Sequence, residues 1–228
     1  MTRRVKLIRI KTRKSLNDFY EFFHKKSFSV GSEYGFLDVN SQFDEIKSTY
    51  VEMEKVHQDY IDPLGERYEQ TIVSYNVFEF SITNLDKGIS LLSICNPPKS
   101  IKKFIDRLSS SFDYEVTFSM IDLNLNEIIH KLLSNQRIQL LHINKLKASG
   151  LKLNDTSTAC IDITSKGNAV KEVEAYANGS KYIIDKIKGQ MHYNEKKISF
   201  EMSKLGLISI NNGGEDFDFN ELIRIIYV

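Results

Sequence analysis

Residues 49–82 read TYVEMEKVHQDYIDPLGERYEQTIVSYNVFEFSI, and this stretch decides the predicted fold. Its two ends, Thr49–His57 and Glu69–Ile82, are rich in Tyr, Val, Phe and Thr, which are residue types that favour strands. The segment Ile61–Gly65 between them contains a proline and a glycine, which favour a turn. The stretch therefore predicts two antiparallel strands joined by this turn.

Outward from this hairpin, strands and helices follow one another without a regular alternation. Asn84–Gly88 predicts a turn into a third strand of the meander, Ile89–Cys95. Further strands are expected over Val5–Lys11, Tyr34–Val39, Tyr114–Met120 and Ile198–Met202, and Phe118 should face inward. Ile138–Ala148 and Leu151–Thr164 should form another pair of strands, joined at Ser149-Gly150. Apolar residues at helical spacing predict a helix over Leu16–Lys26 capped by Ser15, a second after Pro98 and a third capped by Asn124 or Asn126. A long helix is expected from Asn168 to Gly189, and a single helical turn at Phe43–Ile46. The last predicted helix is C-terminal and contains Phe219, Leu222, Ile223 and Ile226.

These elements indicate a mixed α+β fold, mainly antiparallel sheet or sheets with about five packed helices. Strict strand–helix–strand alternation, which would favour a doubly wound parallel sheet, is absent. We expect a single domain over residues 1–228. The alternative is a subdomain boundary near residue 96, where Asn96-Pro97-Pro98 separates a strand-rich part, 1–95, from a mixed part, 96–228.

The composition of the 228 residues is that of an ordinary folded protein, since 41% are hydrophobic and 27% are charged. Two cysteines, Cys95 and Cys160, are too few for a disulfide scaffold, and we expect both to be buried free thiols. No apolar run approaches the ~20 residues of a membrane helix, and no secretory signal is recognised. We therefore expect a cytoplasmic location and no membrane partner.

The choice of residue types also indicates an origin. The chain contains 26 Ile, 23 Lys and 16 Asn but only 5 Ala. Ile, Lys and Asn have AT-rich codons, whereas Ala has GC-rich codons, so we expect an AT-rich bacterial or phage genome. Such an origin favours an accessory protein, including one that acts in anti-phage defence or in regulation.

Charge is distributed unevenly although the net charge is only +1. Residues 1–32 have a net charge of +7 and residues 33–86 have a net charge of −9. A basic strand could bind the phosphates of a nucleic acid, because each neutralised phosphate releases counterions. The charges could instead have a structural role, either protecting an edge strand from aggregation or pairing with segment 33–86 inside the fold. The candidate binding residues are Arg3, Arg4, Lys6, Arg9, Lys11, Arg13 and Lys14.

A second basic group lies on the helix predicted after Pro98. Its members are Lys99, Lys102, Lys103 and Arg107, most of them spaced four residues apart and opposite the apolar side. Beside the N-terminal strand they would extend the same phosphate-binding patch. The alternative is an ordinary solvated helix face.

Motifs of known enzymes are absent from the sequence. There is no G-x-x-x-x-G-K-[ST], no G-x-G-x-x-G and no G-x-S-x-G, and the five histidines lack the spacing of a zinc protease. Asp162, Lys166 and Glu174 form a candidate nuclease group, because carboxylates with a lysine can hold a divalent metal and activate water. We assign no catalytic residue, no metal and no cofactor.

Three functions are therefore considered. The first is a non-enzymatic cytosolic accessory protein of bacterial or phage origin that binds nucleic acid through its basic N-terminal region. The alternative is a protein-interaction or assembly subunit that uses the acidic segment 33–86 or an exposed strand edge, with self-association included. A metal-dependent nuclease is the third.

Overall fold

The computed structural model describes residues 2–86 and 88–211 together with Leu222, Ile223 and Ile226. The chain forms two compact units. Residues 8–119 make up one, which we call the ribbon unit, and residues 1–7 with 120–228 make up the other, which we call the C-terminal unit. Residue 96 lies inside the ribbon unit.

Within residues 2–211, each unit combines an antiparallel sheet with two helices of nine or ten residues. Strand β1 (Thr2–Lys11) contributes residues to both units. In the ribbon unit the elements are α1 (Leu16–Lys25), β2 (Tyr34–Gln42), β3 (Glu45–Ile61), β4 (Arg67–Asp86), β5 (Ile89–Cys95), α2 (Lys102–Ser111) and the start of β6 (Thr117–Met120). In the C-terminal unit they are α3 (Leu125–Ser134), β7 (Ile138–Lys152), β8 (Thr158–Thr164), α4 (Ala169–Ala177), β9 (Ile183–Tyr193), β10 (Lys196–Ser203) and β11 (Leu207–Asn211).

The fold is richer in strands than the sequence analysis predicts. Strands hold 54% of the described residues and helices 20%, and residues 2–211 contain four short helices, so the prediction of about five packed helices was wrong. The main reason is the segment from Asn168 to Gly189. Helix α4 ends at Ala177 because Asn178 adopts a left-handed conformation, with φ of 45°, and β9 begins at Ile183. Leu222, Ile223 and Ile226 are helical and buried, whereas Phe219 lies outside the described residues.

Gly189 is therefore not the residue that ends a helix. It lies in β9 opposite Ile143 of β7. A Cβ atom at this position would overlap the carbonyl oxygen of His142, so the close approach of the two strands requires glycine.

Three local predictions from the sequence were also wrong. Strand β7 continues through Gly150, where a bulge shifts its register with β8, and the turn follows at residues 153–157. Phe43, with φ of 49°, lies in the tight connection between β2 and β3 and not in a helical turn. Strand β6 is only four residues long, because Asp113 and Tyr114 both have positive φ and delay its start. Phe118 does face the core of the ribbon unit, but it is only half-buried.

The core of the ribbon unit is aromatic. Its sheet has the order β2–β3–β4–β5, with antiparallel pairing throughout. The predicted helix α1 is confirmed, and Ser15 and Asp18 cap each other's backbone at its start. On α2, the ring of Phe104 lies 4.8 Å from that of Tyr50 and 5.2 Å from that of Phe78. Helix α2 therefore packs on the face of the sheet that carries Tyr50 and Phe78. The fully buried aromatic side chains here include Phe19, Phe23, Phe36, Tyr50 and Phe104.

The C-terminal unit contains the antiparallel order β11–β10–β9–β7–β8, and residues 2–6 of β1 pair with β11. Asn124 caps α3 as predicted. Among the described residues, the helices are all too short to cross a membrane. The expectation that both cysteines are buried was wrong, because Cys95 is half-buried and Cys160 is exposed.

Candidate functional site

Strand β1, which carries most of the predicted basic site, is an inner strand. It pairs with β11 in the C-terminal unit and with β5 and β6 in the ribbon unit. The interpretation of its charges as protection of a sheet edge therefore does not apply. Its apolar side chains Val5, Leu7, Ile8 and Ile10 are all buried.

The seven N-terminal cations do not form one row. Because side chains alternate along a strand, Arg4 and Lys6 lie on one face of β1, and Arg9 and Lys11 lie on the other. Lys6 is half-buried, its Nζ donates to the carbonyl of Leu205 at 2.6 Å, and burial lowers its pKa.

Lys14, which follows β1, forms an ion pair with an acidic side chain. Its Nζ lies 2.7 Å from Glu115, and that carboxylate raises the pKa of Lys14. Arg9 is half-buried and Lys11 is exposed, and these two share a face at the ribbon-unit end of β1. Arg13 is exposed and follows two residues after the strand ends. Arg3 and Arg4 are exposed near the other end of the strand.

The second basic group is divided between solvent and the fold. Lys99 and Lys102 are exposed. Arg107 is bound inside the ribbon unit, where its Nη2 lies 3.1 Å from Oε1 of Glu52 and its Nη1 donates to the hydroxyl of Tyr50 at 3.0 Å. Lys103 contacts Glu52 at 3.8 Å and Glu54 at 3.5 Å. Arg107 and Lys103 therefore pair with acids of segment 33–86. The sequence analysis considered this structural role for the N-terminal cations instead.

The pair of Glu52 and Arg107 fixes α2 on the sheet. Glu52 is only 3% exposed, and the guanidinium of Arg107 also lies over the ring of Tyr34, 4.1 Å from its centroid. Burial, and next the charge of Glu52, raises the pKa of Tyr50 to about 12. A buried carboxylate needs such partners, and their purpose here is structural.

The sequence analysis did not foresee a long two-stranded ribbon. Strand β3 pairs with β2 only as far as Glu52, and β4 pairs with β5 only from Phe80. Beyond these points β3 and β4 pair with each other as far as Ile61 and Arg67, without a register shift. We call residues 55–73 the ribbon. All of its residues are exposed except the half-buried Asp62.

The two faces of the ribbon differ in chemistry. The inner face, which continues the side of the sheet that α2 covers, has three uncharged rows of paired residues: Val56 with Ile72, Gln58 with Gln70, and Tyr60 with Tyr68. The two tyrosine rings stack with centroids 5.4 Å apart. Val56, Ile72, Tyr60 and Tyr68 are 43–51% exposed.

The outer face of the ribbon combines charged side chains with the exposed apolar side chains Ile61 and Val73. It carries Lys55, Asp59, Arg67 and Glu69, and Asp59 lies directly opposite Glu69. Two carboxylates at paired positions repel each other, which costs stability unless a cation lies nearby. Val73 is exposed on this face, beside Ile72 but pointing to the opposite side.

Two clefts lie in the ribbon unit. One, at the base of the ribbon, has a volume of about 380 Å³, and its lining includes Glu54, Ser74 and Lys99. The other has a volume of about 870 Å³, and its lining includes Arg13, Lys14, Asp86 and Glu115. Acids and bases balance in the second cleft, so its charges favour no class of ligand.

The candidate nuclease residues form no recognisable metal centre in the described part of the chain. Asp162, on β8, lies opposite Lys147 of β7, and Asp162, Lys166 and Glu174 are all exposed. Within residues 2–86 and 88–211, no group of three His, Cys, Asp or Glu side chains is placed to hold a metal ion. The geometry therefore gives no support to this third function.

A local signal for the ribbon was present in the sequence. Over residues 55–61, KVHQDYI, polar and apolar side chains occur on both faces, which is typical of a strand with solvent on each side. The similar lengths of the two strands around Pro63 and Gly65 carry the same information. Compared with models of known protein families and with curated protein sequences, the chain matches none of them.

Proposed function

We propose that this protein is a non-enzymatic interaction module that contacts another protein chain through the inner face of its ribbon. The observation that carries the proposal is the set of four exposed apolar side chains, Val56, Ile72, Tyr60 and Tyr68, on the two rows that flank the uncharged row of Gln58 and Gln70. The proposal assigns the assembly function expected for segment 33–86 to this one surface. We also propose a cytoplasmic location and an accessory role in a bacterium or phage.

Physical chemistry supports a covered inner face. A two-stranded hairpin is marginally stable in water because it buries little apolar surface. Aliphatic and aromatic side chains side by side on an exposed strand pair resemble the centre of an interface, where tyrosine is enriched and charge is depleted. The charged side chains of the outer face keep such a ribbon soluble and direct association to the inner side.

A photo-crosslinking residue placed on each face in turn tests this proposal. With p-benzoylphenylalanine at position 72, irradiation of cells should give a product of higher mass, because Ile72 lies on the inner face. The same residue at position 73 is the matched control, since Val73 neighbours Ile72 but lies on the outer face. Immunoblotting of the tagged chain measures both.

The result separates the proposal from its alternatives. A product from position 72 that is absent from position 73 supports an interaction surface on the inner face. No product from position 72, or equal products from both positions, would contradict it. Mass spectrometry of the product identifies the chain that was captured.

Nucleic-acid binding is the second candidate, and the common face of Arg9 and Lys11, with the exposed Arg13 two residues further along the chain, favours it. Alternate residues of a strand are about 6.6 Å apart, close to the spacing of phosphates along a nucleic-acid strand. Arg9 and Lys11 point away from the core residues Ile8 and Ile10. The cations that the fold engages, including Lys14 and Arg107, are not part of this smaller site.

Replacing Arg9, Lys11 and Arg13 by Gln should weaken binding to duplex DNA without unfolding the chain. The slope of log affinity against log salt should flatten by about 0.9 for each lost phosphate contact, equally for different sequences. Fluorescence anisotropy at several salt concentrations measures this. Lys166, Lys171 and Lys181, all exposed in the C-terminal unit, provide a charge-matched triple control. Equal losses in both triple variants would contradict the site.

A further inference from the structure

We infer that the partner of the ribbon is a second copy of this chain, bound inner face to inner face with the two ribbons antiparallel. The inference rests on the proposed function and names its partner. In this arrangement a two-fold axis lies in the plane of the interface and crosses the ribbon at the row of Gln58 and Gln70. Each tip then lies over the base of the other ribbon.

The order of the rows makes the inner face self-complementary. An apolar row, Val56 with Ile72, and an aromatic row, Tyr60 with Tyr68, lie on either side of the glutamine row. Rotation about the axis places the apolar row of one copy on the aromatic row of the other, twice. Gln58 then faces Gln58 of the second copy, where side-chain amides can both donate and accept hydrogen bonds.

Charge selects the antiparallel arrangement over the parallel one. The tip of the ribbon, residues 62–66, contains the two acids Asp62 and Glu66 and no basic residue. Two parallel ribbons would therefore bring four carboxylates together. In the antiparallel arrangement, the tip row lies over the row of Glu54 and Ser74. Lys99 lines the cleft beside that row, and Lys103 already contacts Glu54. The acidic tip thus meets Glu54 together with two cations, Lys99 before α2 and Lys103 in its first turn.

The surface is small, so the dimer should be weak. Two-stranded ribbons twist strongly, which limits close contact to about three rows. Such a contact lies below the area of a standard stable interface. We therefore expect association that depends on protein concentration.

A thiol-specific cross-link tests the position of the axis. In a Cys160→Ser background, Gln58→Cys should be joined into a covalent dimer by a short bismaleimide, because packed sheets lie about 10 Å apart and position 58 faces itself. Asp59→Cys is the matched control on the outer face and should stay monomeric on denaturing gels. The background protein, which retains Cys95, shows any dimer that does not depend on the new thiol.

Exchanging charges between the tip and the base of the ribbon tests whether each tip contacts the base of the other copy. Lys99→Glu and Glu66→Lys should each lower the yield of the Gln58→Cys dimer, since each places like charges together. A mixture of the two variants should recover the yield, because opposite charges then meet at both contacts. Circular dichroism spectra that match the parent protein confirm that the variants are folded.

The outcomes are separable. A dimer through position 58 but not 59, recovered in the mixed charge variants, supports the inference. No dimer through position 58, equal dimers through both positions, or no recovery in the mixture would overturn it. If position 58 gives no dimer while the photo-crosslinker at position 72 still captures a different protein, self-association is wrong and the proposed function stands.

Discussion

Replacing Arg107 by Met should lower the free energy of unfolding by about 3 kcal/mol, because it leaves a buried carboxylate without its main partner. Glu52 is 3% exposed, and its Oε1 lies 3.1 Å from Arg107. The remaining cation, Lys103, lies 3.8 Å away and its side chain is 68% exposed. Water therefore screens most of its attraction. Urea denaturation followed by circular dichroism measures the loss.

Two further variants separate the buried charge from the packing of α2. Lys103→Met should cost no more than about 1 kcal/mol, as expected for an exposed ion pair. The double variant Glu52→Gln with Arg107→Met should be more stable than Arg107→Met alone, since it removes the uncompensated charge. Equal losses for Arg107→Met and Lys103→Met would contradict this account of the pair.

Replacing Phe104 by Ala should cost about 3–5 kcal/mol, the range observed for large-to-small changes in a packed core. Phe104 is 2% exposed and its ring lies within 5.2 Å of the rings of Tyr50, Phe78 and Phe80. It is one of the two buried apolar side chains, with Leu108, through which α2 packs into the core of the ribbon unit. The resulting cavity would lie at the centre of the aromatic core.

Phe118 provides the comparison for this prediction. It is half-buried on the short strand β6, so Phe118→Ala should cost clearly less than Phe104→Ala. Both losses can be measured from urea denaturation at one temperature. An equal or larger loss at Phe118 would contradict this ranking of the two side chains by their burial.

Local sequence signals predicted the elements whose causes are local. The hairpin around Pro63 and Gly65 and the capped helices after Ser15 and Asn124 follow from turn and cap chemistry within a few residues. The helix predicted from Asn168 to Gly189 failed for the opposite reason. Ile183, Ile184 and Ile187 fit a helical period, but their partners are on β7 and β10, far away in the sequence.

The site was harder to predict because its properties depend on what surrounds each strand. Tyr, Val and Ile are as suitable for a buried strand as for the ribbon, and only the end of β2 and of β5 leaves the ribbon uncovered. The pairing of Glu52 with Arg107 joins residues that no local pattern connects. In the N-terminal basic segment, the even and odd positions of the cations already place them on both faces of a strand, but no local signal indicated that β1 is an inner strand.

The central claim is that the inner face of the ribbon binds a second copy. Sedimentation equilibrium of the purified chain tests it most directly, with samples from about 1 µM to about 1 mM to include weak association. The average mass should rise towards twice the monomer mass of 26.4 kDa for the wild type and for Val73→Lys, and should stay at the monomer mass for Ile72→Lys. A wild-type chain that remains monomeric over this range, or an Ile72→Lys variant that associates as strongly as Val73→Lys, would contradict the account.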